Sequence, residues 1–94
     1  MASKGNDAEL LEAFQRVDRL LEELIEQQRR KVLEHGQTLV PALTSEDVMN
    51  PDGYPELAES GPFNYDDGLL AGYIASQMAI RARLMAPLRG AAAE

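Results

Sequence analysis

Cysteine and tryptophan are both missing from this chain. Without a thiol there is neither a disulfide nor a thiolate metal site, which fits a reducing compartment and sets the expectation of a cytoplasmic protein. Aromatic residues are scarce: Phe14, Tyr54, Phe63, Tyr65 and Tyr73 are all there are. Core volume must then come from Leu, Ile, Val, Met and Ala, as it does in helical bundles. No apolar run reaches the length of a signal peptide or a membrane span, so no membrane association is expected. Basic residues are few, 9 Lys plus Arg against 16 Asp plus Glu, for a net charge of -7. Binding to a phosphate backbone needs clustered cations, so no nucleic-acid partner is expected.

The chemical motifs are as sparse. There is one histidine, His35, and no phosphate-cradling glycine loop, G-x-S-x-G elbow or E-x-x-H pair. We assign no catalytic residue, and expect no cofactor and no resident metal.

What is present is a chain of 94 residues with 45% hydrophobic content. That composition is ordinary for a folded protein, and the length suits a single helical domain over 1–94 with flexible ends at 1–6 and 88–94. A chain this short buries only about 60% of the surface it exposes when unfolded. A second copy would help, and a homodimer is expected.

A first helix opens near Asn6 or Asp7, either of which can cap it, and ends near Gly36, with a continuation to Val40 as the outer limit. Arg29, Arg30 and Lys31 load its last turns, where the helix dipole favours cations. Leu10, Phe14, Val17, Leu21 and Leu24 alternate at four and three, the seam of a coiled coil, while Leu11, Leu20 and Ile25 flank it. A stripe so wide suits a helix with two neighbours. A second helix is predicted from Asn64-Tyr65 to about Ala86, capped by Asn64 with Asp67 and stopped by Pro87. Its apolar face carries Leu70, Tyr73, Ile74, Gln77, Ile80 and Leu84. Gly68, Gly72 and Ser76 repeat every four residues on another side, a pattern that lets two helix backbones approach closely. The predicted oligomer interface therefore comprises Leu10, Phe14, Val17, Leu21, Leu24, Gly68 and Gly72.

Between the helices lies the most unusual stretch, Thr44 to Asp67. It holds seven acidic residues and no basic one; outside it nine acids balance nine bases, so the connector carries the whole net charge. It is far longer than an ordinary bundle loop. Leu43, Val48, Met49, Tyr54, Leu57, Phe63 and Tyr65 give it too much apolar bulk for a solvated linker. Thr44 with Asp47 reads as a cap for a short helical turn, and Asn50-Pro51-Asp52-Gly53 as a tight turn. The expectation is an ordered acidic connector. It either plugs the end of the helix pair or presents a docking surface for a basic protein partner, through Tyr54, Leu57, Phe63, Tyr65, Asp66 and Asp67.

Two metal-like patterns are partial. Asn50, Asp52, Gly53 and Glu59 match the later half of a calcium loop, but Val48 stands where the first ligand belongs. Glu22-Glu23-x-x-Glu26 resembles the EExxE half of the magnesium site in the all-α nucleoside triphosphate pyrophosphatases; the ExxD half is absent. His35, near a helix C-terminus, reads as a dipole partner rather than a catalyst.

The sequence thus leads to an all-α helical hairpin, with helices at about 7–36 and 65–86, an ordered acidic connector, and self-pairing into a four-helix bundle. Its expected role is a small soluble protein–protein interaction module: an adaptor, regulator or assembly factor. The alternative from another class is an oligomeric metal-dependent hydrolase in which Glu22, Glu26, Asp66 and Asp67 meet across subunits.

Overall fold

The computed structural model describes residues 4–93. It is 88% helical, with no strand among the described residues, so the protein is all-α. In order, α1 spans Lys4–Leu39, two 3-10 turns follow at Asp47–Met49 and Pro51–Gly53, α2 is Pro55–Ala58 and α3 is Gly61–Ile80. A π-helical segment, Arg81–Met85, then leads into α4, Ala86–Ala93. Of the ends expected to be flexible, residues 1–3 and 94 lie outside the described residues; 4–6 and 88–93 are helical.

The chain forms two compact units. Unit 1 is Met1–Leu24 with Tyr73–Glu94, and unit 2 is Ile25–Gly72. Unit 2 has a true core, in which Val32, Leu43, Leu57 and Phe63 are buried together and Leu33, Val40, Val48, Tyr54 and Leu70 pack around them. Leu57 and Phe63, with Val48 and Tyr54 beside them, come from the connector, which is why the connector is folded. Fully burying each of these large side chains contributes about 1.5–3 kcal/mol.

The first helix outruns its expected end for a packing reason. Gly36 lies inside α1, and Val40 N–H continues the helical bonding to the Gly36 carbonyl at 2.8 Å. No glycine among the described residues has a positive φ, so Gly36 is not the left-handed cap its sequence context suggests. It is small because Leu43 lies on it: a Cβ there would fall 2.5 Å from Leu43 Cδ2. The helix stops before Pro41 instead, and the Gln37 side-chain amide donates to the Leu43 carbonyl at 3.0 Å as the chain turns away.

Of the predicted caps, Asn6 and Asp7 lie inside α1, the one at Thr44 forms and the one at Asn64 moves. Thr44 N–H donates to Asp47 Oδ2 and Asp47 N–H to Thr44 Oγ1, both at 3.1 Å, a reciprocal capping box. Gly53 N–H closes the expected turn on the Asn50 carbonyl at 3.2 Å. The second long helix, however, begins at Gly61, four residues before its predicted start at Tyr65. Ser60 is its cap, accepting from Phe63 N–H at 3.2 Å, and Pro62 fits the first turn because no donor is needed there. Asn64, expected to cap, instead donates from its side chain to the Ala58 carbonyl.

In unit 1, α1 and the later helices run antiparallel through polar contacts. Arg81 makes a two-pronged pair with Asp18, Nε–Oδ1 2.8 Å and Nη2–Oδ2 3.1 Å, and Gln77 Nε2 donates to Glu22 Oε2 at 2.6 Å. Gln77 and Met85 are its buried side chains among the described residues. The α1 positions turned inward here are Leu11, Phe14, Asp18 and Leu21, half-buried, whereas Leu10 and Val17 are exposed. The inward seam is thus displaced by one residue from the predicted one at these two positions.

Pro87 does not end the helix. It lacks the N–H that would bond the Arg83 carbonyl, and the widened π-helical turn at Arg81–Met85 accommodates it. The turn inserts one extra residue, so Met85 is buried where a continuous α-helix would have placed Leu84; Leu84 is exposed.

Candidate functional site

The expected docking residues separate cleanly by burial. Leu57 and Phe63 are 0% exposed and belong to the unit 2 core. Tyr54 is half-buried against that core, and Tyr65 stands 69% exposed. Of the two aspartates, Asp66 is engaged: its Oδ2 lies 2.9 Å from His35 Nδ1, and its backbone carbonyl accepts from Gln28 Nε2 at 2.8 Å. His35 also meets the Phe63 ring edge-on, centroids 6.1 Å apart. The lone histidine therefore ties α1 to the start of α3, a contact no local spacing announces. Gln28, buried in the apolar face of α1, carried the one available hint: a polar residue in a seam needs a partner from elsewhere.

The acids of the connector stand on a folded support. Glu46, Asp52, Glu56 and Glu59 are exposed, spread over the two 3-10 turns and α2. Asp47 is used internally, and the Thr44 N–H bonded to it, followed by the Thr44 and Tyr54 hydroxyls, holds its carboxyl below the usual range. Partial burial, then the nearby Asp47 charge and hydrogen bond, raises the Tyr54 hydroxyl. Unit 2 as a whole sets nine acids against three bases, Arg29, Arg30 and Lys31.

One side of unit 2 opens into a cleft of about 300 Å³, bounded by α1, the Asp47–Met49 turn and the body of α3. Val32, Leu33, Val48 and Leu70 give it apolar walls, and Met49, 74% exposed, stands at its lip. Glu26, Arg29, Arg30, Ser45 and Asp67 supply the polar rim. Glu26 and Arg29 pair at 3.6 Å. Asp67 is half-buried and has no hydrogen-bond or ion-pair partner among the described residues.

The predicted oligomer residues are distributed over both units. Phe14, Leu21 and Leu24 are half-buried, and Leu10 and Val17 are exposed. Gly68 and Gly72 are exposed as well, and a Cβ on either would meet nothing within 4 Å.

For the hydrolase alternative, Glu22 is bonded to Gln77 and approached by Arg81 at 3.4 Å, Glu26 pairs with Arg29, and Asp66 with His35. Among the described residues no three of His, Cys, Asp and Glu converge to hold a metal ion. No helix of the described residues is long and apolar enough to cross a membrane. No protein-family model, curated protein or solved structure matches this chain.

Proposed function

We propose that this protein is a homodimeric interaction module: a helical hairpin whose unit 1 closes against a second copy as a four-helix bundle, leaving the acidic connector to dock a basic protein partner. One observation carries the reading. Among the described residues, unit 1 fully buries a single large hydrophobic residue, Met85, while Leu10, Val17, Leu20, Met78 and Leu84 stand 42% to 63% exposed. Half of a core is there and its cover is not.

Charge favours a second copy as that cover. Unit 1 nearly balances, with seven acids and six bases, whereas unit 2 carries a net -6. Two copies can meet through unit 1 with little repulsion. Covering these side chains would contribute about 25 cal/mol per Å² of apolar area removed from water. The connector's part rests on its folded, outward-facing acids, which would steer and orient a cationic partner.

Sedimentation equilibrium tests the dimer. The wild-type chain should sediment as a dimer, and Val17→Glu combined with Leu20→Glu as a monomer that keeps its helical circular dichroism. A wild-type protein that stays monomeric at high micromolar concentration overturns the reading.

A further inference from the structure

The cleft of unit 2 has a composition that names its occupant. We propose that it seats an amphipathic helical segment of a basic protein partner, with one large aliphatic or aromatic side chain on the Val32–Leu33–Val48–Leu70 walls and a lysine or arginine of that segment against Asp67. This rests on the docking role proposed for the connector and moves the anchor away from the connector rings, since Leu57 and Phe63 are buried.

Size comes first. About 300 Å³ is at the lower limit of small-molecule pockets, which run from about 300 to 1,000 Å³, and it suits one or two side chains. Apolar walls open to the surface between two helices and a turn are the setting in which an amphipathic helix lays down its anchors. Met49 at the lip adds an adaptable edge, because a thioether on three rotatable bonds repacks against varied shapes.

Charge then selects the sign of the partner. Glu26 and Arg29 pair with one another across 3.6 Å. That leaves Asp67, half-buried beside apolar walls and unpartnered among the described residues, as the rim group with most to gain from a cation. The surrounding unit has a net -6, which attracts a cationic partner to it before contact. Arg30, exposed and also lining the cleft, repels a cation placed beside it and so helps restrict where the cation of the segment can lie.

The test is fluorescence polarisation with a labelled amphipathic Leu/Lys helical peptide, using an oligolysine of equal charge as the second probe. Wild-type protein should bind the amphipathic peptide and bind oligolysine at least tenfold more weakly. Asp67→Asn, which keeps the side-chain shape, should weaken the peptide about tenfold, and Ser45→Trp, which fills the cleft from an exposed position, should do so at least equally. Glu59→Gln removes the same charge at an exposed connector site and should change affinity less than twofold. Melting curves confirm that each variant is folded. Equal losses from Asp67→Asn and Glu59→Gln, or equal binding of oligolysine, overturn the cleft while leaving a purely electrostatic docking connector standing. No binding of the peptide by wild type also overturns it, and the dimer formed through unit 1 is judged separately by sedimentation.

Discussion

The two units of this protein are made from the same pair of long helices and are held in opposite ways. Unit 2 closes over carbon: Val32, Leu43, Leu57 and Phe63 interlock, and its polar links, Gln28 to the Asp66 carbonyl and His35 to the Asp66 carboxylate, are supports at the margin. Unit 1 is joined by polar contacts, Asp18–Arg81 and Glu22–Gln77, while Leu10, Val17, Leu20, Met78 and Leu84 stand exposed. The difference teaches what the connector is for. Two helices side by side cannot enclose a core, and in unit 2 the connector is the third layer that does so. Unit 1 has no third layer among the described residues.

Substitutions can break this contrast in decreasing order of effect. The largest loss should follow Phe63→Ala, which empties the centre of unit 2: about 3–5 kcal/mol less stability in urea denaturation followed by circular dichroism. A loss under 1 kcal/mol would show that unit 2 is no better packed than unit 1. Next comes Gly36→Ala. The added methyl must displace Leu43, costing about 1–3 kcal/mol, and this outweighs the roughly 1 kcal/mol that alanine brings to a helix. The same change at Gly68 should have the opposite sign, a gain of up to about 1 kcal/mol, because its Cβ enters open space. If Gly68→Ala instead weakens the dimer in sedimentation, a second copy lies against that face.

The smallest effect concerns acid. Hydrogen bonding from Arg81 holds the Asp18 carboxyl below its ordinary value of 3.8 in the folded chain. A carboxyl lowered by folding contributes stability above its unfolded value, and that contribution is lost as the pH falls below 3.8 through the folded value. Thermal melts between neutral pH and pH 3 should therefore show a slightly shallower acid loss for Asp18→Asn than for wild type. Solvent exposure of the Arg81 side chain keeps the effect modest.

Features written in local spacing were legible. The all-helical class, the Thr44–Asp47 box and the turn at Asn50–Gly53 need only neighbours in sequence. What was missed depended on residues distant in sequence. Gly36 looked like a stop signal because glycine after a basic turn usually is one; only Leu43 and Phe63 packed on it reveal a glycine retained for closeness. Asn64 looked like a cap, yet Ser60 takes that role, since a proline in the first turn begins helices as readily as it ends them. The candidate site shows the same division. Its acidity could be counted in advance, but the burial of Leu57 and Phe63, the His35–Asp66 contact and the cleft beside Asp67 are products of tertiary packing.

The widened turn at Arg81–Met85 has a further consequence for how this chain can change length. A π-helical turn is the geometric equivalent of one residue inserted into an α-helix. Deleting Ala82 would restore uniform winding and leave Met85 in its buried place. The segment thus acts as a splice joint: single-residue insertions and deletions are absorbed there, while the same events upstream in α3 would rotate Gln77 away from Glu22.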